Sequence, residues 1–191
     1  MRRMIACSLA LAFGLSLSLA SDASAQAVAY FGGGATIPTG DFAEFPDGGG
    51  DGASTGWMGF AGVYFPIGDT GFSPGIQGYY GRNNHDFEGD RTDLYGAMAT
   101  GGFAFGDPDA SARPFVAGGL GTLTHSYKSE SFPTAEGSTT SFAAQGAAGL
   151  SFELGSVGGM VVASATKGFG DNSDTSYIGI AAAIAVPVGG S

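Results

Sequence analysis

Cysteine and basic residues are scarce in this chain of 191 residues, which has one cysteine, seven lysines and arginines in total, and two histidines. A single cysteine excludes an internal disulfide, and no cluster of cysteines and histidines is present that would bind zinc. The 17 acidic residues give a net charge of −10, and no basic patch is present that would follow a phosphate backbone. We therefore expect no nucleic-acid partner.

Convincing helical periodicity is absent beyond the first 25 residues. Glycine is abundant, at 36 residues, but it shows no Gly-X-Y repeat, which excludes a collagen. The aromatic and aliphatic content argues against disorder, and glycine alternates with large apolar residues, which predicts strands. Because we predict no helix after Gly32-Gly33-Gly34, we exclude a phosphate-binding loop there.

The first 25 residues have the anatomy of a secretory signal peptide. Two arginines precede an apolar run over residues 4 to about 20, and Ala23-Ser24-Ala25 provides the small residues that a signal peptidase requires. The alternative is a transmembrane anchor, but no positive flank follows the run. We predict a signal peptide over 1–25, cleaved near Ala25, and one mature domain over 26–191.

Cleavage at this position changes the chemistry of the chain. It removes the only cysteine, Cys7, so that the mature domain has no disulfide or thiol chemistry. It also removes two arginines and Asp22, which makes the net charge −11. An acidic exterior of this kind attracts cations in bulk, but this does not define a site.

The mature chain contains eight segments with strand character, all longer than the common soluble strand of about 5–6 residues. Their lengths match or slightly exceed the roughly 9–11 residues of a tilted membrane-spanning strand. The predicted strands are 27–38, 56–66, 72–82, 92–105, 113–124, 141–154, 158–169 and 176–188.

The segment SFAAQGAAGLSFEL, residues 141–154, shows the alternation most clearly. Every second residue is apolar, and the residues between them are small or polar. The segment 176–188 alternates in the same way, whereas 56–66 is apolar on both faces and its register stays open. We predict that the apolar face meets lipid, with Phe142, Leu150, Phe152, Ile178, Ile180 and Ile184 outward. We predict that the opposite face meets the lumen, with Gln77, Gln145, Ser151 and Glu153 inward.

The connections alternate in length along the chain. The odd-numbered connections are mostly long, over Thr39–Thr55, Asn83–Arg91, His125–Thr140 and Gly170–Thr175. The even-numbered connections are short, over Ile67–Gly71, Gly106–Ala112 and Gly155–Val157. Long loops at one end and short turns at the other are typical of outer-membrane barrels, whose long loops face outward from the cell.

Charged and aromatic residues collect near the predicted strand ends. The only charged residues in the predicted strands are Arg82, Asp93, Arg113, Glu153 and Lys167. Each lies within about three residues of a strand end, where a charge is tolerated far better than at mid-depth in lipid. Aromatic residues near strand ends, among them Tyr30, Phe115 and Tyr177, are compatible with girdles at the membrane interfaces.

These patterns predict an all-β fold, an eight-stranded antiparallel up-and-down transmembrane β-barrel. In a membrane every backbone N–H and C=O needs a partner, and a closed barrel leaves no free edge. The alternative is a soluble β-sandwich or a closed periplasmic barrel, which would explain small residues on both strand faces.

Two stretches resemble the small opacity-type eight-stranded outer-membrane β-barrel proteins. YFGGGATIPTGDF (30–42) is similar to their first strand, with Pro38 and Gly40-Asp41-Phe42 at its end. ARPFVAGGLGTLTHSY (112–127) is similar to their fifth strand, with Arg113-Pro114-Phe115 and later glycines. The resemblance implies a bacterial outer-membrane location, insertion through the barrel-assembly machinery, and no catalytic residues. The chain departs from the family at its end, VPVGGS, where members usually have a terminal Phe or Tyr.

An enzyme that acts on outer-membrane lipid is an alternative function. Such barrels use a histidine, a serine two residues later on the same strand face, and an acid. Here Ser126 directly follows His125, and adjacent strand residues point to opposite faces. Ser129 and Glu130 fall in a predicted loop. We therefore predict no catalytic residues and interpret His125 as a residue of the loop rim.

Acidic loops raise the possibility of a bound cation. The stretch NNHDFEGDRTD (83–93) has five residues with oxygen ligands of the type that calcium prefers. These residues are Asn83, Asp86, Glu88, Asp90 and Asp93. Their spacing fits no EF-hand, and the acidic stretches 47–52 and 170–174 are ordinary solvated loops. We predict no metal and no cofactor.

The sequence thus favours a monomeric, non-enzymatic outer-membrane barrel with a structural or surface-interaction role and outer-membrane lipid around it. The sequence identifies no surface ligand. A soluble periplasmic or secreted β-domain that binds a ligand is the first alternative, and a lipid-modifying enzyme is the second.

Overall fold

The computed structural model describes residues 27–43, 52–85, 87–107, 109–130, 134, 136–155 and 157–188. Eight antiparallel strands follow one another around a closed barrel, and the last strand pairs with the first. The strands are β1 (Ala27–Pro38), β2 (Gly56–Tyr64), β3 (Phe72–Asn84), β4 (Arg91–Ala104), β5 (Ala112–Lys128), β6 (Gly137–Leu154), β7 (Val157–Gly168) and β8 (Ser176–Val188). The predicted fold and all eight predicted strands are confirmed.

The strands define two ends of the barrel. The loop end carries the connections 39–55, 85–90, 129–136 and 169–175, and the turn end carries 65–71, 105–111 and 155–156. Ala27 and Val188 pair at the turn end. Short 3-10 turns occur at Gly40–Phe42 and Gly170–Asn172. No helix within the described ranges is long and apolar enough to cross a bilayer.

Strands β5 and β6 extend further toward the loop end than the sequence predicts. Pairing continues beyond the predicted strand ends to Tyr127↔Gly137, through residues 125–127 and 137–140 that we assigned to a loop. The hydroxyls of Thr124 and Thr140 lie 2.7 Å apart across the two strands. Threonine favours strands because it is β-branched, and this cross-strand pair supports the ladder. The connection between these strands is therefore shorter than predicted.

The outer face of the barrel is apolar. Large side chains with about half of their surface open surround it, including Leu120 at 58%, Ile180 at 54% and Phe142 at 52%. Among the residues predicted to face lipid, Leu150, Ile178 and Ile184 are also exposed on this face, and Phe152 lies outward but is partly covered. In β2, whose register the sequence left open, Trp57 is outward while Met58 is buried.

The inner face differs between the two halves of the barrel. In the half near the loops, large side chains fill the lumen. This loop-side core consists of Phe42, Ala53, Tyr79, Leu94, Met98, Leu123, Ala143 and Tyr177. In the half near the turns, the lumen holds a cavity instead. The lumen is therefore packed in its loop-side half and contains a cavity in its turn-side half.

Three of the aromatic residues near strand ends that were considered for interfacial girdles lie inside the barrel instead. Tyr30 and Phe115 line the cavity, and Tyr177 is 2% exposed in the loop-side core. The inner face accepts such rings because glycine lies beside them. A Cβ on Gly62 would lie 2.6 Å from the Tyr30 hydroxyl, and a Cβ on Gly149 would lie 2.8 Å from the Phe115 ring. Of the residues predicted to be lumenal, Gln77, Gln145 and Ser151 line the cavity, whereas Glu153 is exposed at the rim.

Candidate functional sites at the loop end and in the lumen

A buried hydroxyl connects the two histidines at the loop end. Thr92 Oγ1 lies 2.9 Å from His85 Nε2 and 3.3 Å from His125 Nε2. On the other side of its ring, His125 Nδ1 lies 3.0 Å from Thr175 Oγ1. Thr92 and Thr175 are almost fully buried, at 0% and 2% exposure. Each ring nitrogen of His125 thus has a hydroxyl partner, which ties β4, β5 and the last loop together.

Aromatic rings and a carboxylate complete this arrangement. The Phe42 ring meets the His125 ring edge-on at 5.7 Å, and the His85 and Tyr127 rings meet in the same way at 5.2 Å. The Tyr127 hydroxyl donates to Asp90 Oδ2 at 2.8 Å. The first, second and fourth loops are consequently fastened to the barrel wall through side chains at its rim.

The predicted separation of His125 from Ser126 is present in the structure. His125 points inward to Thr92 and Thr175, and Ser126 lies on the opposite face of β5, as the alternation of a strand requires. Ser129 is buried at 2% exposure. Thr175 is the hydroxyl beside His125 Nδ1, but its burial keeps a substrate away. No arrangement of nucleophile and base open to a substrate is formed by these residues.

The residues considered for a cation do not converge. Asn83 is fully buried, and its amide donates to Thr36 Oγ1 at 2.9 Å and to the Ser54 carbonyl at 2.8 Å. Asp90 accepts from Tyr127 and from the Glu130 backbone N–H. Glu88 is exposed, Asp86 lies outside the described residues, and so does most of 47–52. Within the described ranges, no group of three or more metal-binding side chains is present.

Asp93 belongs to the outer wall rather than to a loop site. Its Oδ1 lies 2.7 Å from Arg82 Nε and accepts a hydrogen bond from the Tyr80 hydroxyl at 2.7 Å. The Arg82 guanidinium also donates to that hydroxyl, at 2.8 Å. Trp57 packs against the Tyr80 ring at 5.4 Å. A paired charge beside amphipathic aromatic rings is typical of a membrane interface.

The cavity in the turn-side half is the second candidate site, and its volume is about 190 Å³. Aromatic, methionine and small apolar side chains make up most of its lining. The rings of Tyr30 and Tyr64 pack at 5.8 Å. Each of the two glutamines is held by a hydroxyl, since Tyr30 donates to Gln77 Oε1 at 3.1 Å and the Gln145 amide donates to Thr166 at 3.1 Å.

The sequence predicted only some of the residues in the histidine cluster at the loop end and in the turn-side cavity. The sequence marked His125 and Gln77, but nothing in it singled out Thr92 or Thr175 as partners of a histidine. The cavity also had no local signal, because eight different strands contribute to its wall.

Solved structures are similar to this chain in fold, although its sequence has no match among family models or curated proteins. Neisserial surface protein A is 14% identical, with a TM-score of 0.62 over 85% of this chain and 96% of that protein. The N-terminal β-barrel domain of Pseudomonas aeruginosa OprF is 15% identical, with a TM-score of 0.52 over 84% of this chain and 98% of that domain.

The architecture is therefore that of the small eight-stranded outer-membrane β-barrels, as the resemblance of its first and fifth strands implied. At this level of identity the similarity concerns the fold alone.

Proposed function

We propose that this protein is a non-enzymatic β-barrel of the bacterial outer membrane with a structural or surface-interaction role. The observation that carries the proposal is the apolar outer face of a closed barrel. In water, the many exposed large apolar side chains, which include Leu120, Phe142 and Ile180, would form an exposed apolar area far larger than a soluble monomer keeps. In lipid, the same surface is the favourable one, and closure leaves no unpaired strand edge.

The packed loop-side core favours a role other than transport. Leu94, Met98 and Leu123 are almost fully buried in the outer half of the lumen, so solutes have no open path along the barrel axis there. The loop end offers exposed carboxylates to a partner in the surroundings. These are Asp41, Glu88, Glu130, Glu136, Asp171 and Asp174.

Two further parts of the proposal concern assembly. We infer that the mature chain inserts as a monomer through the barrel-assembly machinery, after removal of the signal peptide near Ala25. Described residues begin at Ala27, so the leader is supported by its sequence anatomy alone.

The test is cell fractionation followed by electrophoresis with and without boiling. An outer-membrane barrel is expected in the outer-membrane fraction with a heat-dependent shift in mobility. Recovery in the soluble periplasm without a shift would reject the membrane role and favour the soluble ligand-binding domain.

Orientation is tested by single cysteines, because the mature chain has none of its own. Ser173→Cys at the loop end is expected to react with an impermeant thiol reagent on intact cells. Asp69→Cys at the turn end, which is also exposed, is the matched control and is expected to react only after lysis. The reverse pattern would place the loops in the periplasm and contradict a surface role.

A further inference from the structure

The cavity in the turn-side half of the lumen has an unusual lining for a membrane barrel, whose interior is normally polar. Met58, Phe60, Met160 and Val162 contribute to it, together with inward-facing alanines. Polar groups are a minority of the lining, and among them Gln77 accepts a hydrogen bond from Tyr30 while Gln145 donates one to Thr166. The space is therefore suited to an apolar occupant rather than to a chain of ordered waters.

The cavity is closed on one side only. Toward the loops, the loop-side core blocks it with buried Tyr79, Leu94 and Met98. Toward the turns, its lining reaches Gly71 and Ala104, which lie at or beside a connection between strands. A ligand would therefore enter from the turn end.

Arg113 lies at that end. It is an inward position of β5, two residues before Phe115, and it pairs with Ser151 of β6. Phe115 and Ser151 line the cavity, and the Ser151 hydroxyl donates to the Arg113 carbonyl at 3.2 Å. Among the described residues, the Arg113 Nε atom is buried and has no hydrogen-bond partner. From the register with Ser151 and the alternation along β5 we place the Arg113 guanidinium beside the entrance of the cavity, where it complements an anionic group on an apolar ligand.

The volume limits the size of that ligand. An apolar cavity of about 150 Å³ stays dry and binds benzene, and this cavity is somewhat larger, at about 190 Å³. It has room for one short alkyl chain but not for the two chains of a phospholipid. We propose that the turn-side cavity binds the alkyl chain of a small single-chain carboxylate, with the carboxylate against Arg113. The inference does not depend on what the loops bind.

The test uses octanoate and the mature barrel in nanodiscs of chain-deuterated phospholipid, with the methionine methyl groups labelled with ¹³C. Met58 and Met160 line the cavity. Octanoate is expected to give intermolecular cross-peaks to these two methyl groups, with a titration that saturates. Absence of cross-peaks at high octanoate would overturn the proposal. So would cross-peaks from phospholipid chains in a sample with protonated lipid, since the occupant would then be the membrane itself.

Two adjacent alanines provide a matched pair of variants. Ala147 faces the cavity and Ala148 faces outward from the same strand. Ala147→Leu is expected to fill the space and abolish the cross-peaks, whereas Ala148→Leu is expected to keep them. Ala117→Leu, across from Ala147 on β5, fills the same space and replaces the first variant if that one does not fold. Equal cross-peaks in the lumenal and outward variants would contradict binding in the lumen.

The anionic part is tested with Arg113→Gln and with octanol, which has the same chain and no charge. Because Arg113 as a whole is partly exposed, the variant is expected to weaken octanoate binding by about two- to fivefold, the range of an exposed ion pair, and to leave octanol binding unchanged. Arg91→Gln at the loop end is the control and is expected to change neither. Equal loss of octanoate binding in both variants would show a general charge effect and reject Arg113 as the partner of the carboxylate.

Discussion

The hydroxyl of Tyr79 on β3 donates a hydrogen bond to the backbone carbonyl of Thr122 on β5, 2.9 Å away, and so passes over β4, which lies between them. The contact is possible because Gly96 occupies the crossing point on β4. A Cβ at that position would lie 2.8 Å from the Tyr79 hydroxyl and would also meet the Thr122 carbonyl. A tyrosine and a glycine on adjacent strands thus fix the packing of three strands in the loop-side core.

Tyr79→Phe tests the hydrogen bond without changing the ring. The variant is expected to lower the free energy of unfolding by about 1 kcal/mol, since it removes the hydrogen bond between the buried Tyr79 side chain and the Thr122 carbonyl. The measurement is urea unfolding in lipid vesicles, followed by the fluorescence of the single tryptophan. An unchanged midpoint would mean that the hydroxyl contributes nothing to stability.

Gly96→Ala tests the crossing point. Because the new methyl group has no space, the variant is expected to destabilise the barrel by roughly 1–3 kcal/mol, the usual cost of overpacking. Gly146→Ala is the matched control, since a Cβ there meets nothing within 4 Å. Equal stability of the two variants would show that the strands move apart at Gly96 without cost.

The depth of the apolar outer face is tested by two leucines of similar exposure. Leu120 lies near the middle of β5, and Leu154 ends β6. Leu120→Arg is expected to cost about 2–4 kcal/mol, because the charge is placed in the middle of the bilayer, and Leu154→Arg about 0–1 kcal/mol. The measurement is again urea unfolding in vesicles. Similar costs at the two positions would contradict a membrane belt centred on Leu120.

Asn172 holds the last loop against the barrel wall. Its buried amide donates to the carbonyls of Leu123 and Thr139, at 2.9 and 3.0 Å. Asn172→Asp places a carboxylate oxygen against a carbonyl in a site with 2% exposure, so we expect more damage than from Asn172→Ala. Hydrogen exchange should be accelerated at the loop ends of β5 and β6. If Ala is as damaging as Asp, the lost donor alone explains the effect.

The sequence predicted the strands well because the outer face is periodic. In β6, Phe142 and Leu150 lie on one face because successive side chains alternate. A lipid-facing position requires only an apolar side chain and no specific packing partner. Prediction was poorer toward the loop end. There Thr124 and Thr140 face each other in a ladder that continues through polar residues, and a polar composition is also typical of a loop.

The lumen was less predictable for a different reason. Whether a strand-end aromatic such as Tyr30 or Tyr177 lies inside or outside depends on the register of all eight strands, which no single segment encodes. The partners of His125 illustrate the same limit. Thr92 and Thr175 lie far from it in sequence and meet it only because neighbouring strands and a returning loop bring them to one rim.

The seam between β1 and β8 has a consequence for the order of folding. Every other pair of neighbouring strands is a hairpin of consecutive segments, but this seam joins the first strand to the last, from Pro38↔Tyr177 to Ala27↔Val188. The two strands also pack closely on the inner wall, where a Cβ on Gly34 would lie 2.7 Å from Ala181 Cβ. Each hairpin is able to form once its own two strands are available, whereas the seam forms only after the last strand is available. Until then the nascent sheet keeps two open edges, which need protection against pairing with other chains.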